Sequence, residues 1–308
     1  MTDTGTSSMT DSLRILLGRL VDYAGLFPPA KLDMPTTVRN YADYLACPEA
    51  WMLGRLIVPV AQLDAFEQHA ATLLPGQDDD LDAWAISAIT APAGEAQLEA
   101  DLDRIAAFND RHEDPANGFA MIDVIELKAD TPKAAEHALD LIPDELFPFF
   151  EIPISSDPRG LIATLVGSEA GAKVRTGGIT PDLYPQADHL ARFIHACANA
   201  GVAFKATAGM HHPLRSINPA VGVKEYGFLN VFAAACLAEK HELDEAMIRA
   251  ILEEESIGAF TFGDDSLAWR TFALGLDEIE DVREVFAVSF GSCSFDEPRD
   301  GLRTLGLL

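Results

Sequence analysis

Gly171–Arg215 reads GAKVRTGGITPDLYPQADHLARFIHACANAGVAFKATAGMHHPLR: a strand, a turn, a helix, a second strand and a polar loop. Both strands close in the same way, as Lys173–Val174–Arg175–Thr176–Gly177 and as Lys205–Ala206–Thr207–Ala208–Gly209. A lysine inside a strand that otherwise reads as buried is expensive unless something pairs or uses it. The two strands lie about 30 residues apart, the length of a parallel βα unit, so neighbouring strands would present their lysines in the same direction.

The same alternation extends outward in both directions. VDYAGLF (21–27), RLIVPV (55–60), AWAISAI (83–89), AMIDVIELKA (120–129) and FPFFEIPI (147–154) are apolar runs, each followed by a stretch with helical spacing. Near-continuous apolar strands are what parallel sheets covered on both faces require. No Gly-rich dinucleotide fingerprint follows the first strand, so the repeat favours a closed barrel over an open doubly wound sheet. The expected fold class is α/β: a single (β/α)8 barrel over residues 12–308 behind a flexible tail at 1–11. VSFGSCSF (288–295) reads as the last barrel strand, with AFTFG (259–263) as the alternative. Residues 216–276 would then be an insertion between strands seven and eight, with helices at 224–239 and 243–255 and a hairpin turning at Gly263–Asp265.

The chain carries 22 Lys and Arg against 49 Asp and Glu, a formal charge of −27. That balance speaks against nucleic acid or an anionic membrane as partner, since both attract basic surfaces. No apolar run approaches the roughly 20 residues of a membrane span. The first ten residues lack the basic and apolar regions of a signal peptide, which leads us to expect a cytoplasmic protein. The four cysteines form no CxxC pair, arguing against a structural zinc site or a disulfide framework. A homo-oligomer is compatible with all of this. Lysine is scarce, with seven in the chain, yet Lys128, Lys173 and Lys205 all fall near the ends of apolar strands.

In a closed barrel alternate residues face inward, and the carboxyl ends of the strands carry the site. Parity groups Lys173 with Arg175, Lys205 with Thr207, Glu126 with Lys128, and Glu151 with Phe149. Set inward, these make a locally cationic pocket suited to a small anionic metabolite, a phosphorylated sugar or a keto acid, with no cofactor. The bland alternative is a set of interior ion pairs, Glu126–Lys128–Lys173 and Glu151–Lys205, with only a structural role. A lysine attacks a carbonyl only as the neutral amine, and a second lysine nearby is one way to depress its pKa. Arg175, Thr176 and Thr207 would contact the substrate. His211, His212 and Arg215 lie just past the seventh strand, where one histidine could transfer protons or bind an anion with Arg215. The GSCS turn would bring Ser292, Ser294 and their backbone N–H groups to a phosphate, and Cys293 is a candidate nucleophile. Asp22 and Tyr23 either reach the site from strand one or only fix the first loop.

The pair KVRTG and FKATAG resembles the KTSTG and KxxGG strands of deoxyribose-phosphate aldolase, a class I aldolase on this barrel, and IDVIELK is similar to that family's strand bearing a catalytic aspartate. The resemblance implies a Schiff base on Lys173, tuned by Lys205, with Asp123 in proton transfer. It spans about 90 residues. HHPLR replaces the family's glycine-rich turn, the long insertion has no counterpart there, and parity places Asp123 on the face opposite Glu126 and Lys128. Two other functions stay open: a metal-dependent isomerase, epimerase or lyase using Glu151, His211 and His212, and a non-catalytic barrel that binds an anionic metabolite.

Overall fold

In the computed structural model, which describes residues 9–77, 79 and 81–308, eight parallel strands close into a barrel. They are β1 (Val21–Tyr23), β2 (Leu53–Pro59), β3 (Trp84–Ile89), β4 (Ala120–Lys128), β5 (Phe147–Glu151), β6 (Gly171–Arg175) and β7 (Phe204–Thr207), closed by the thirteenth strand of the chain, β13 (Ala287–Ser292). β1 pairs with both β2 and β13, so no edge is left. The expected (β/α)8 architecture and the last strand are as the sequence reads. Most of the expected tail, residues 1–8, lies outside the described residues, and its last residue, Asp11, opens a helix.

Helix α1 (Asp11–Leu17) precedes β1, and α2 (Met34–Leu45), α3 (Leu63–Ala70), α4 (Gln97–His112), α5 (Pro132–Leu141), α6 (Arg159–Thr164) and α7 (Ala187–Ala200) follow β1 to β6 in turn, as the alternation in the sequence predicts. Their starts show local causes. Asp33 accepts a hydrogen bond from the Thr36 N–H at the head of α2, and Thr131 accepts one from Ala134 at the head of α5, each with proline in the first turn.

Between β7 and β13 lies more structure than the sequence reading anticipated. An antiparallel hairpin, β8 (Ser216–Asn218) with β9 (Val223–Glu225), takes the residues where the helix was expected to start. Gly227 ends it, and α8 (Phe228–His241) begins there. Residues Phe228–Ala238 of α8 are all buried, because the helix is enclosed by the barrel wall, α7, α9 (Glu245–Leu252) and α10 (Leu276–Val285). Phe228 stacks on Phe290 of β13 at 5.5 Å between ring centroids, a pairing worth about 1 kcal/mol beyond the area it buries. The AFTFG run is not a barrel strand: it supplies β10 (Phe260–Phe262) of a small antiparallel sheet with β11 (Ser266–Trp269) and β12 (Phe272–Gly275). The final helix is α11 (Asp296–Thr304).

One irregularity matters for the site. Ile86 pairs with Ile122 while the next residue, Ser87, pairs with Val124, so Asp123 is an extra residue in β4. Such a bulge resets the alternation of side chains. The objection that Asp123, Glu126 and Lys128 cannot share a regular strand face therefore does not apply, because the strand is not regular.

Candidate functional site

Inward-facing residues of seven strands meet inside the barrel. The register places Lys128 beside Glu151, Glu151 beside Lys173, and Lys173 beside Lys205 across β4 to β7. Glu126 lies at the centre and is 1% exposed. Its Oε1 accepts from the Lys205 ammonium at 2.6 Å and from the Ser87 hydroxyl at 2.7 Å. Its Oε2 is in ion-pair contact with Lys173 Nζ at 2.7 Å. Lys173 also meets Glu151 Oε2 at 2.9 Å, and Arg175 donates to Glu151 Oε1 at 3.2 Å. On the far side Lys205 donates to Asp22 Oδ2 at 2.7 Å, where the Ser289 hydroxyl also donates at 2.7 Å. Asp22 Oδ1 accepts the Arg55 backbone N–H at 2.7 Å.

The protonation states follow from these contacts. Burial alone would raise the Glu126 pKa, but Lys173 and Lys205 outweigh it and hold the carboxylate well below its usual range. Glu151 is likewise pushed up by burial and brought below its ordinary value by Lys173 and Arg175, with a smaller part from Lys128. Burial pushes Lys173 down, but Glu126 and Glu151 overcome it and leave the ammonium with a raised pKa. The depressed, neutral amine expected from two adjacent lysines is not what this cluster makes. The carboxylate of Glu126 stands between the two cations, and Asp22 brings in another carboxylate. The expected excess of positive charge is corrected for the same reason: Lys205, Lys173 and Arg175 each meet at least one carboxylate.

The two lysines differ in what they have left to offer. An ammonium has three N–H bonds. Lys205 directs two at Asp22 and Glu126 and sits 5.6 Å from the centroid of the Phe149 ring, an arrangement that completes its surroundings. Lys173 also meets two carboxylates but lines a cavity of about 560 Å³ at the carboxyl ends of the strands, as do Glu126, Glu151, Arg175 and Lys128. Cavities of about 300–1,000 Å³ are the usual size for small-molecule sites.

The other expected site residues divide. Thr207, His211 and Ser292 line the cavity. Thr176 is turned away: its backbone N–H and hydroxyl both donate to the Thr207 carbonyl, and the hydroxyl also reaches the Ala208 carbonyl, tying β6 to the loop after β7. Ser294 does not line the cavity; its Oγ accepts the Glu297 N–H and its carbonyl accepts from Ser292 Oγ. Arg215 points into the insertion, 3.8 Å from Glu253 and over the Tyr226 ring. Asp123 is held by the Arg55 guanidinium through contacts of 3.0 and 2.6 Å, three residues before Glu126 toward the amino end of β4. A proton-transfer role beside Lys173 does not fit that pairing.

His211 Nδ1 is 2.7 Å from Glu297 Oε2, His212 Nε2 is 3.7 Å from Glu225, and Glu151 belongs to Lys173 and Arg175. The three residues of the metal alternative thus have three different partners, and no group of three metal-ligating side chains forms among the described residues. Cys293 lines the cavity, but burial pushes its thiol pKa up, away from the thiolate a nucleophile needs. The helix after the GSCS turn, α11, opens with Asp296 and Glu297, an acidic first turn that repels phosphate.

Asp22, Ser87 and Ser289 are the residues the sequence reading left out or open. Asp22 carried the same signal as the lysines, a charge within an apolar strand, but in a strand of three residues the signal is short. Nothing in the sequence singles out Ser87 or Ser289, whose hydroxyls matter only through their partners.

No family model matches the sequence, and a search of curated proteins gives no match. Among solved structures, the chain is similar to protein CitE from Mycobacterium tuberculosis in complex with magnesium and acetate, at 11% identity and a TM-score of 0.37, over 63% of this chain and 76% of that one. It is also similar to the citrate lyase beta subunit from M. tuberculosis complexed with oxaloacetate and magnesium, at 10% identity and a TM-score of 0.37, over 78% of this chain and all of that one. Likenesses this slight carry nothing about chemistry.

Proposed function

We propose that the chain is an enzyme of lyase type acting on a small anionic carbonyl compound, with Lys173 as the group that meets the carbonyl. The observation that carries this reading is the placement of Lys173: a buried cation, flanked by two carboxylates, with a donor left over at the wall of a ligand-sized cavity. Arg175 and Lys128 nearer the rim suit the anionic end of the ligand.

Lys173 can serve in either protonation state. As the ammonium it donates a hydrogen bond to the carbonyl oxygen and stabilises the enolate formed when a neighbouring C–C or C–H bond breaks. Glu151, 2.9 Å from Lys173, would take up the proton released. The raised pKa of Lys173 favours this form at neutral pH. As the amine, Lys173 would give a proton to Glu126 or Glu151, at 2.7 and 2.9 Å, and attack the carbonyl carbon. Loss of water from the carbinolamine then leaves the imine of a class I aldolase. The same two carboxylates raise the Lys173 pKa, so this second form costs more at neutral pH than the first.

Borohydride reduction with a panel of aldehydes and 2-oxo acids, read by mass spectrometry, separates the two. An adduct on Lys173 that Lys173→Ala abolishes establishes the imine, and its yield should rise with pH as the amine is freed. Exchange of α-hydrogens or C–C cleavage without any trapped adduct establishes the ammonium form. Ligand binding without turnover would make the barrel a binding protein. If no member of the panel binds, reacts or is trapped, the proposal fails.

A further inference from the structure

We infer that the substrate carries an apolar body of several carbons behind its reacting polar head, an inference that rests on the carbonyl-compound reading above and narrows its substrate class. The strand ends supply the charges Glu126, Lys128, Glu151, Lys173 and Arg175 to the cavity lining. The loops above them bring a different chemistry. Phe27 comes from the loop after β1, Pro92 from the loop after β3, Ile179 and Leu183 from the loop after β6, and Val221 from the turn of the β8–β9 hairpin. Four separate segments therefore line the upper cavity with apolar side chains.

The apolar wall is also uncovered. Ile179 is 59% exposed while lining the cavity, so an apolar ligand group lying against it would remove that surface from water. A phosphorylated sugar fits less well. Tyr184, Asn218, His211 and Thr90 are the polar loop residues of the lining. Hydroxyls lying along Phe27, Pro92, Ile179, Leu183 and Val221 would lose water without gaining partners, which is costly. The sugar's phosphate would have Arg175 and Lys128, as a carboxylate would, but no helix N-terminus to add donors, because α11 opens with Asp296 and Glu297. An oxo acid with an alkyl or aryl chain satisfies both parts at once: its carbonyl and carboxylate among the charges, its chain along Ile179, Leu183 and Val221.

Calorimetric titration of the full chain with straight-chain 2-oxo acids of three to eight carbons, the aldehydes of the same lengths, phenylpyruvate and a phosphorylated pentose tests this. Burial of each added methylene should tighten binding about threefold to fourfold until the cavity is filled. Ile179→Ser, a change at an exposed position that leaves the core intact, should shrink the ratio of eight-carbon to three-carbon affinity. Affinities that are flat or fall with chain length, or a phosphorylated sugar that outbinds every oxo acid, would overturn the apolar-body inference while leaving the carbonyl-compound reading standing. No binding by any oxo acid or aldehyde would overturn both.

Discussion

Glu126 is the residue on which the interior depends, because one carboxylate serves two ammonium groups from two different strands. Its lowered pKa and the raised pKa of Lys173 set how stability should change with pH. A carboxylate with a depressed folded pKa contributes fully above its unfolded value, about 4.3, and loses that contribution as pH falls through the folded value. Glu126 and Glu151 both behave this way. A lysine with a raised folded pKa contributes fully below its unfolded value, about 10.4, and loses it as pH rises beyond. The cluster should therefore support the fold evenly between about pH 5 and pH 10 and weaken outside that window on both sides. Urea midpoints measured across this range for the wild type and Glu126→Gln should show the gap between them widest on the plateau and closing in acid. A gap that grows below pH 4 would mean that Glu126 is protonated in the fold. Removing one partner of a buried charge pair typically costs about 3–5 kcal/mol, so the plateau gap should be of that order.

At the scale of elements, the ends of β6 and β7 must approach closely for Arg175 and Thr207 to share the cavity wall. Two glycines permit it. A Cβ on Gly177 would lie 2.7 Å from Gly209 Cα, and Gly209 has φ +73°, a backbone that disfavours side chains. Gly177→Ala should therefore push the two strand ends apart, with a stability loss of about 1–3 kcal/mol, the usual range for overpacking. Because Arg175 sits two residues before the contact, ligand affinity should fall as well. Denaturation and titration of the same variant check both effects; an unchanged affinity would show that the strand ends are not what positions Arg175. The bulge at Asp123 belongs to this scale too. The apolar pattern of IDVIELK does not announce an extra residue, and pairing with the neighbouring β3 reveals it.

For the molecule as a whole, the charge of −27 sits on a fold whose two interior lysines are already matched by carboxylates. The excess is therefore on the surface, where like charges repel and salt screens them over about 10 Å at ordinary ionic strength. Raising sodium chloride from about 0.05 M to about 1 M, where screening shortens to about 3 Å, should raise the thermal midpoint. The buried cluster, shielded from solvent, should respond little. A midpoint that falls with salt would show that surface ion pairs such as Arg111–Glu67 and Arg303–Glu49 outweigh the repulsion.

Period and parity explain why so much of this was legible beforehand. Apolar strands spaced by one helix can bury both faces only by closing, and residues two apart on a strand must share a face, so the chain itself put Glu126, Glu151, Lys173 and Lys205 inside. Ring closure decided the rest. It brought Asp22 to Lys205 across 183 positions of sequence, set Ser289 beside Asp22, and let Glu126 rather than a lysine stand between the two ammonium groups. Glu126 and Glu151 together reverse the direction of the Lys173 pKa from the one expected of two neighbouring lysines. A side chain's inward direction is a local property of the backbone, whereas its charge state depends on every group within a few ångströms, and those groups come from strands far apart in the chain.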